Sequence, residues 1–218
     1  MKGPSLTALA ALVITGVTPA SAQNLSSHGH ASVVASNEKA SRAEFASAMR
    51  KLWEDHVVWT RQFIVSAVAD LPDRDVAAER LLRNQDDIGN AIKPFYGDAA
   101  GARLTTLLRE HITIAAELVG AAKLGKQEAV QTQSAAWYAN ADSISAFLAS
   151  ANSNWNGAEL RATMREHLDL TLKEAVARLQ KDWKADVAAY DMIHDHILRM
   201  ADVLSTGIMR QFPNGFTR

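Results

Sequence analysis

Cysteine is absent from the 218 residues. That excludes disulfides, zinc ribbons, iron–sulfur clusters, a thiol nucleophile and covalent c-type haem. Proline is scarce: there are five, and none lies between Pro94 and Pro213. A stretch that long without proline leaves room for uninterrupted helices. An excess of either charge is also missing, since 23 basic and 24 acidic side chains leave a net charge of −1. Nothing here makes the basic field that a nucleic acid partner needs. G-x-S-x-G, the P-loop, G-x-G-x-x-G and H-E-x-x-H do not occur, so standard hydrolase, NTPase, dinucleotide and zincin chemistry lacks support. With 48% hydrophobic residues, the chain holds enough apolar surface for one domain with a sizeable core.

The N-terminus reads as an address. Met1-Lys2 is a short positive region, and Leu6 to Val17 is an apolar run too short to span a bilayer comfortably. Pro19-Ala20-Ser21-Ala22 then supplies an A-x-A cleavage site. Residues 1–22 are therefore expected to be a signal peptide, which places the mature protein in the periplasm or outside the cell. Residues 23–40, rich in Ser, Ala and Asn and carrying His28 and His30, are expected to be a flexible leader. No later segment is apolar enough for a membrane span in the mature chain.

Residues 41–213 read as a helical bundle domain. Ser41-x-x-Glu44 is a capping box before the apolar series Phe45, Met49, Leu52, Val57, Phe63 and Ile64. Leu71-Pro72 stops that helix. Asp73 can cap a short helix to Leu82, with Asn84–Gly97 irregular or short-helical. Asp98 to Leu124, Lys126 to Ala151, and Asn156 to Gln211 stay helical in pattern. The last, unbroken, would be roughly 84 Å long, so a turn is expected near Lys181–Lys184 although no Gly or Pro marks it. The expected architecture is all-α: an antiparallel helical bundle of four to five long helices with a short helical insert.

Five histidines lie on these helices. At roughly 100° per residue, His56, His111, His167 and His194 fall on the apolar stripes of four different helices, each near mid-length. Glu174 follows His167 by seven residues on the same face, and Asp191 precedes His194 by three. His196 is roughly 200° from His194 and is expected to face elsewhere. Imidazoles and carboxylates delivered from facing helices are how bundles build metal sites. With thiolates missing, the candidate ligands are His56, His111, His167, Asp191, Glu174 and His194, and the candidate ion is Zn, Cu or Fe. Asn140, on the stripe of Trp137 and Ile144, is a candidate hydrogen-bond donor to that site. Arg109-Glu110-His111-Ile112 recurs 56 residues on as Arg165-Glu166-His167-Leu168, and Glu54-Asp55-His56-Val57 precedes it by 55. An equal step of two helices suits a duplicated helical hairpin.

Leu52-Trp53-Glu54-x-His56-x-x-Trp59-Thr60-Arg61, His111-x-x-Ile114-Ala115-Ala116-Glu117-Leu118-Val119, Trp137-Tyr138-Ala139-Asn140-Ala141-Asp142 and Glu166-His167-Leu168-x-Leu170-Thr171 resemble a family of small bacterial all-helical secreted proteins. Its members often carry the names acetylglutamate kinase or glycosyltransferase. Those activities need an α/β nucleotide-binding sheet, for which this chain shows no strand pattern and no phosphate loop. The resemblance implies a shared helical fold and matches His56, His111, His167, Glu174 and Asp191, with His194 outside the pattern. The functional expectation is a periplasmic or secreted bundle whose partner is a transition metal ion or small ligand, with a homodimer open as its assembly. The alternatives are a bundle binding haem non-covalently, with Met49, Met164 and Met200 offering thioethers, and a partner-binding envelope protein with a structural polar core.

Overall fold

Ser41 starts the first helix as its capping box requires. Its hydroxyl accepts from Glu44 N at 3.2 Å, and the Glu44 carboxylate accepts from Ser41 N at 2.7 Å. The computed structural model describes residues 40–217. The expected signal peptide and all but the last residue of the leader lie outside the described residues. Six α-helices follow among those described: α1 (Arg42–Val68), α2 (Arg74–Tyr96), α3 (Asp98–Lys123), α4 (Gln127–Ala151), α5 (Gly157–Leu179) and α6 (Trp183–Gln211). A 3-10 turn, Pro213–Gly215, closes the series. The short connections between consecutive helices make neighbours antiparallel. Each helix packs on the next, α6 returns to α1, and α1 also touches α3 and α5. The all-α helical bundle is thus the observed fold.

The short insert is corrected. α2 is a full helix of 23 residues that runs through Asn84 and Pro94. Its polar residues pointed to an irregular segment, but Asn84 and Gln85 are fully buried and bonded. Asn84 Nδ2 donates to Leu52 O on α1, and Gln85 Nε2 donates to Leu81 O. Pro94 sits in the last turn, so the one amide donor it lacks and the clash it brings disturb only the end of the helix. Gly97, at φ +82°, is the single residue separating α2 from α3. The turn expected near Lys181–Lys184 is present at residues 180–182, with Lys181 in the left-handed region at φ 62°.

The domain also extends past Pro213. Phe216 is buried against Phe45 and Phe95, and Thr217 N donates to Ala40 O at 3.1 Å. Two glycines allow close helix approach. At Gly89 a Cβ would lie 1.9 Å from Thr105 Oγ1 and 2.8 Å from Gly101 O. At Gly207 a Cβ would lie 1.9 Å from Nε1 of Trp155, whose indole donates to Val203 O. Gly207→Ala is therefore expected to lose about 1–3 kcal/mol through overpacking. Urea unfolding followed by tryptophan fluorescence measures this, and an unchanged midpoint would contradict the packing described.

Candidate functional site: a layer of buried imidazoles

His56 on α1, His111 on α3 and His167 on α5 are brought together as their stripes required. They are 3%, 3% and 4% exposed and line one interior cavity with Leu81 and Trp137. The His56 and His167 ring centroids are 5.6 Å apart, and Trp137 lies 5.2 Å from His111. The cavity is about 40 Å³, enough for two to four water molecules at ~10–15 Å³ each. A porphyrin is far larger than this space. The remaining walls are mostly apolar, and no carboxylate is among them.

Each imidazole has a counterpart 29 residues later, on the following helix. Gln85 Nε2 lies 3.3 Å from His56 Nδ1, and Asn140 Oδ1 lies 2.9 Å from His111 Nδ1. His196 stacks on His167 with centroids 6.1 Å apart. The histidines themselves step by 55 and 56 residues. Outside the layer the same register pairs Arg109 with Asp86 and Arg165 with Asp142, both 23 residues apart. The short sequence repeats thus correspond to three helical hairpins, α1–α2, α3–α4 and α5–α6, whose first helices each deliver one histidine to a common level, with His196 added by α6.

The side-chain amides set the tautomers. Asn140 Nδ2 donates to Leu107 O and Glu110, so its carbonyl oxygen faces His111. His111 therefore carries its proton on Nδ1 and keeps a lone pair on Nε2. Asn140 acts on the site as an acceptor, not as the donor expected. Gln85 Nε2 faces Leu81 O, Asn84 Oδ1 and His56 Nδ1 with two hydrogens; because it can only donate, His56 Nδ1 is an acceptor of a shared hydrogen. His167 Nδ1 has no partner, nor do Trp137 Nε1, Trp53 Nε1 and Gln85 Oε1. These are four of the five buried unpartnered polar atoms among the described residues, and all four belong to the imidazoles or their immediate neighbours. Such a concentration of unmet hydrogen bonds calls for a polar occupant.

Burial keeps the imidazoles neutral. It lowers His56 to about 3, helped by His111, and His111 to about 4; His167 is held well below the ordinary value. Burial lowers His196 as well. His196 is the histidine that helical phase assigned wrongly. It is 3% exposed, whereas His194 is half-buried at the surface with Nε2 2.9 Å from Glu54 Oε1. The core face of α6 runs through Asp186, Ala189, Ile193, His196 and Met200, and Asp191 is exposed. Asp191 and His194 do not join the imidazole layer.

Glu174 is buried but belongs to an ionic cluster. Arg61 Nη1 donates to Glu174 Oε1 at 2.5 Å and to Asp186 Oδ1 at 2.9 Å, and Arg178 meets Asp186 at 3.1 Å. Burial pushes Glu174 up to about 7 despite Arg61. Burial also acts to raise Asp186, but hydrogen bonds from Arg61 and Arg178 outweigh it and hold that carboxyl low. Two arginines balance two carboxylates, so the cluster has no need of a cation. Among the described residues, no three His, Asp or Glu side chains stand where they could jointly hold a metal. No family profile, curated protein or solved structure matches the chain.

Two outcomes are expected. The buried histidines have folded values below their unfolded value near 6.5. Their contribution is therefore complete above pH 6.5 and is lost as pH falls toward 4 and then 3. Each costs about 1.4 kcal/mol per pH unit while it stays neutral. Glu174, raised from 4.5, acts with the opposite sign between about 4.5 and 7, one group against four. Urea midpoints between pH 7 and 4.5 should fall, and a flat profile would contradict the neutral layer. Separately, Arg61→Leu leaves Glu174 buried without its partner and is expected to cost about 3–5 kcal/mol, measured by chemical denaturation.

Proposed function

We propose that this is a periplasmic or secreted helical bundle that binds a transition metal ion in the cavity at the imidazole layer. The observation that carries the reading is the convergence of three neutral histidines from three helices on one small interior cavity, amid unpartnered polar atoms. Metal ligation requires neutral imidazole, and burial keeps these rings neutral at pH 7. His111 is the best-prepared ligand. Its Nδ1–H is held by Asn140, the outer hydrogen bond that metal-bound histidines use to orient the ring. His167 follows, with Nδ1 unpartnered, and His56 lies beside it. The size of the cavity favours an ion over haem. Among the described residues no helix is long and apolar enough to cross a membrane.

A structural polar core is the competing reading, favoured because no three of the described His, Asp or Glu side chains stand where they could jointly hold a metal. Metal analysis of the mature protein, purified without chelators, separates the two. One ion per chain is expected, and free ion at a hundred times Kd should add about 2.7 kcal/mol of stability. Asn140→Ala should weaken binding about 10- to 100-fold by freeing the His111 ring. Absence of stoichiometric metal, with identical unfolding curves in chelator and in added metal, would favour the structural core.

A further inference from the structure

The donor set narrows the choice of ion. Every side chain offered to the cavity as a ligand is an uncharged imidazole, and no carboxylate lines it. The nearest buried carboxylate on the same helix, Glu174, is tied to Arg61. The anionic groups beside the layer, Glu110 on Asn140 and Glu166 near His196, sit on exposed residues outside the cavity. A bound cation would therefore keep its full charge in mostly apolar surroundings. The cost of burying an ion grows with the square of its charge, so a monovalent ion pays about a quarter of the penalty of a divalent one.

Coordination number points the same way. Divalent zinc takes three or four protein ligands, and no such set is assembled among the described residues. Cu(I) has a filled d shell, carries one charge and accepts two or three imidazoles. His111, with its Nδ1–H directed to Asn140, keeps its lone pair on Nε2, and His167 Nδ1 is unpartnered and fully buried. His56, with its ring centroid 5.6 Å from that of His167, is the third imidazole at hand.

We infer that the cavity is a Cu(I) site, held by His111 and His167 with His56 beside them; this rests on the metal-binding reading above. The site then suits copper carriage or storage at low coordination number, and it has no anionic ligand with which to neutralise Zn(II) or Fe(II). The wild-type mature protein is titrated anaerobically with Cu(I) against a chromogenic Cu(I) chelator, and separately with Zn(II) and Co(II). One Cu(I) per chain is expected, at least a hundredfold tighter than Zn(II). X-ray absorption should report two or three nitrogen ligands and no sulfur. His111→Gln and His167→Gln, with folding checked by circular dichroism, should each weaken Cu(I) binding at least tenfold, while His194→Gln leaves it unchanged. Zn(II) or Co(II) binding as tightly as Cu(I), or a four-coordinate Cu site, overturns the assignment to Cu(I) but leaves metal binding standing. Failure of every ion to bind overturns both. The wild-type comparison needs no variant, so a variant that does not fold cannot rescue the proposal.

Discussion

Keeping imidazoles uncharged inside an apolar bundle is the constraint on which the rest depends. A protonated histidine at this depth would carry an unpaired charge among Leu, Ile and Trp side chains, which is costly. The bundle avoids this by placing no carboxylate in the cavity that His56, His111 and His167 line. It supplies neutral amides from the next helix, Gln85 for His56 and Asn140 for His111. Those amides are themselves pinned to backbone carbonyls, Leu81 O and Leu107 O. Helix packing, tautomer and the donor set of the cavity are therefore linked. Moving α2 or α4 would release an amide, and with it the orientation of a ring.

Charge is handled separately, toward the α5–α6 turn. Arg61, Glu174, Asp186 and Arg178 join α1, α5 and α6 in a buried cluster that is balanced in formal charge. Arg61 also lies over the Tyr190 ring at 4.7 Å. Asp186 lies on the same buried face of α6 as Ile193, His196 and Met200, while Asp191 is exposed. The ion pairs to Asp186 and the apolar residues of that face thus agree on the rotation that brings His196 to the imidazole layer.

Much of the fold was legible. The capping box at Ser41, the stop after Val68, the break around Asn152–Asn156 and the end of α6 at Gln211 all carry local signals. The unmarked turn after Leu179 followed from length alone. His56, His111 and His167 were legible because a step of 55 and 56 residues equals one helical hairpin, so equal phase and equal height came together. The insert was misread because Asn84, Gln85, Gly89 and Asn90 look like loop chemistry. Asn84 and Gln85 reach α1 and Gly89 meets α3, contacts that local propensity does not encode. Glu174 was read correctly as inward-facing, but its partner Arg61 is 113 residues away, and nothing local separates a metal ligand from half of an ion pair.

The sequence by itself determined an all-helical chain, nearly all of its helix ends and three histidines at one level, because capping, periodicity and repeat length act over short distances along the chain. Only the tertiary structure decided that His196, not His194, faces inward, that Asp191 and Glu174 stand apart from the imidazoles, and that Gln85 and Asn140 orient two of the rings. The physical reason is that helical phase has no absolute origin. A rotation of α6 by about two residues, roughly 200°, exchanges the places of His194 and His196, and the choice between them depends on contacts with distant helices.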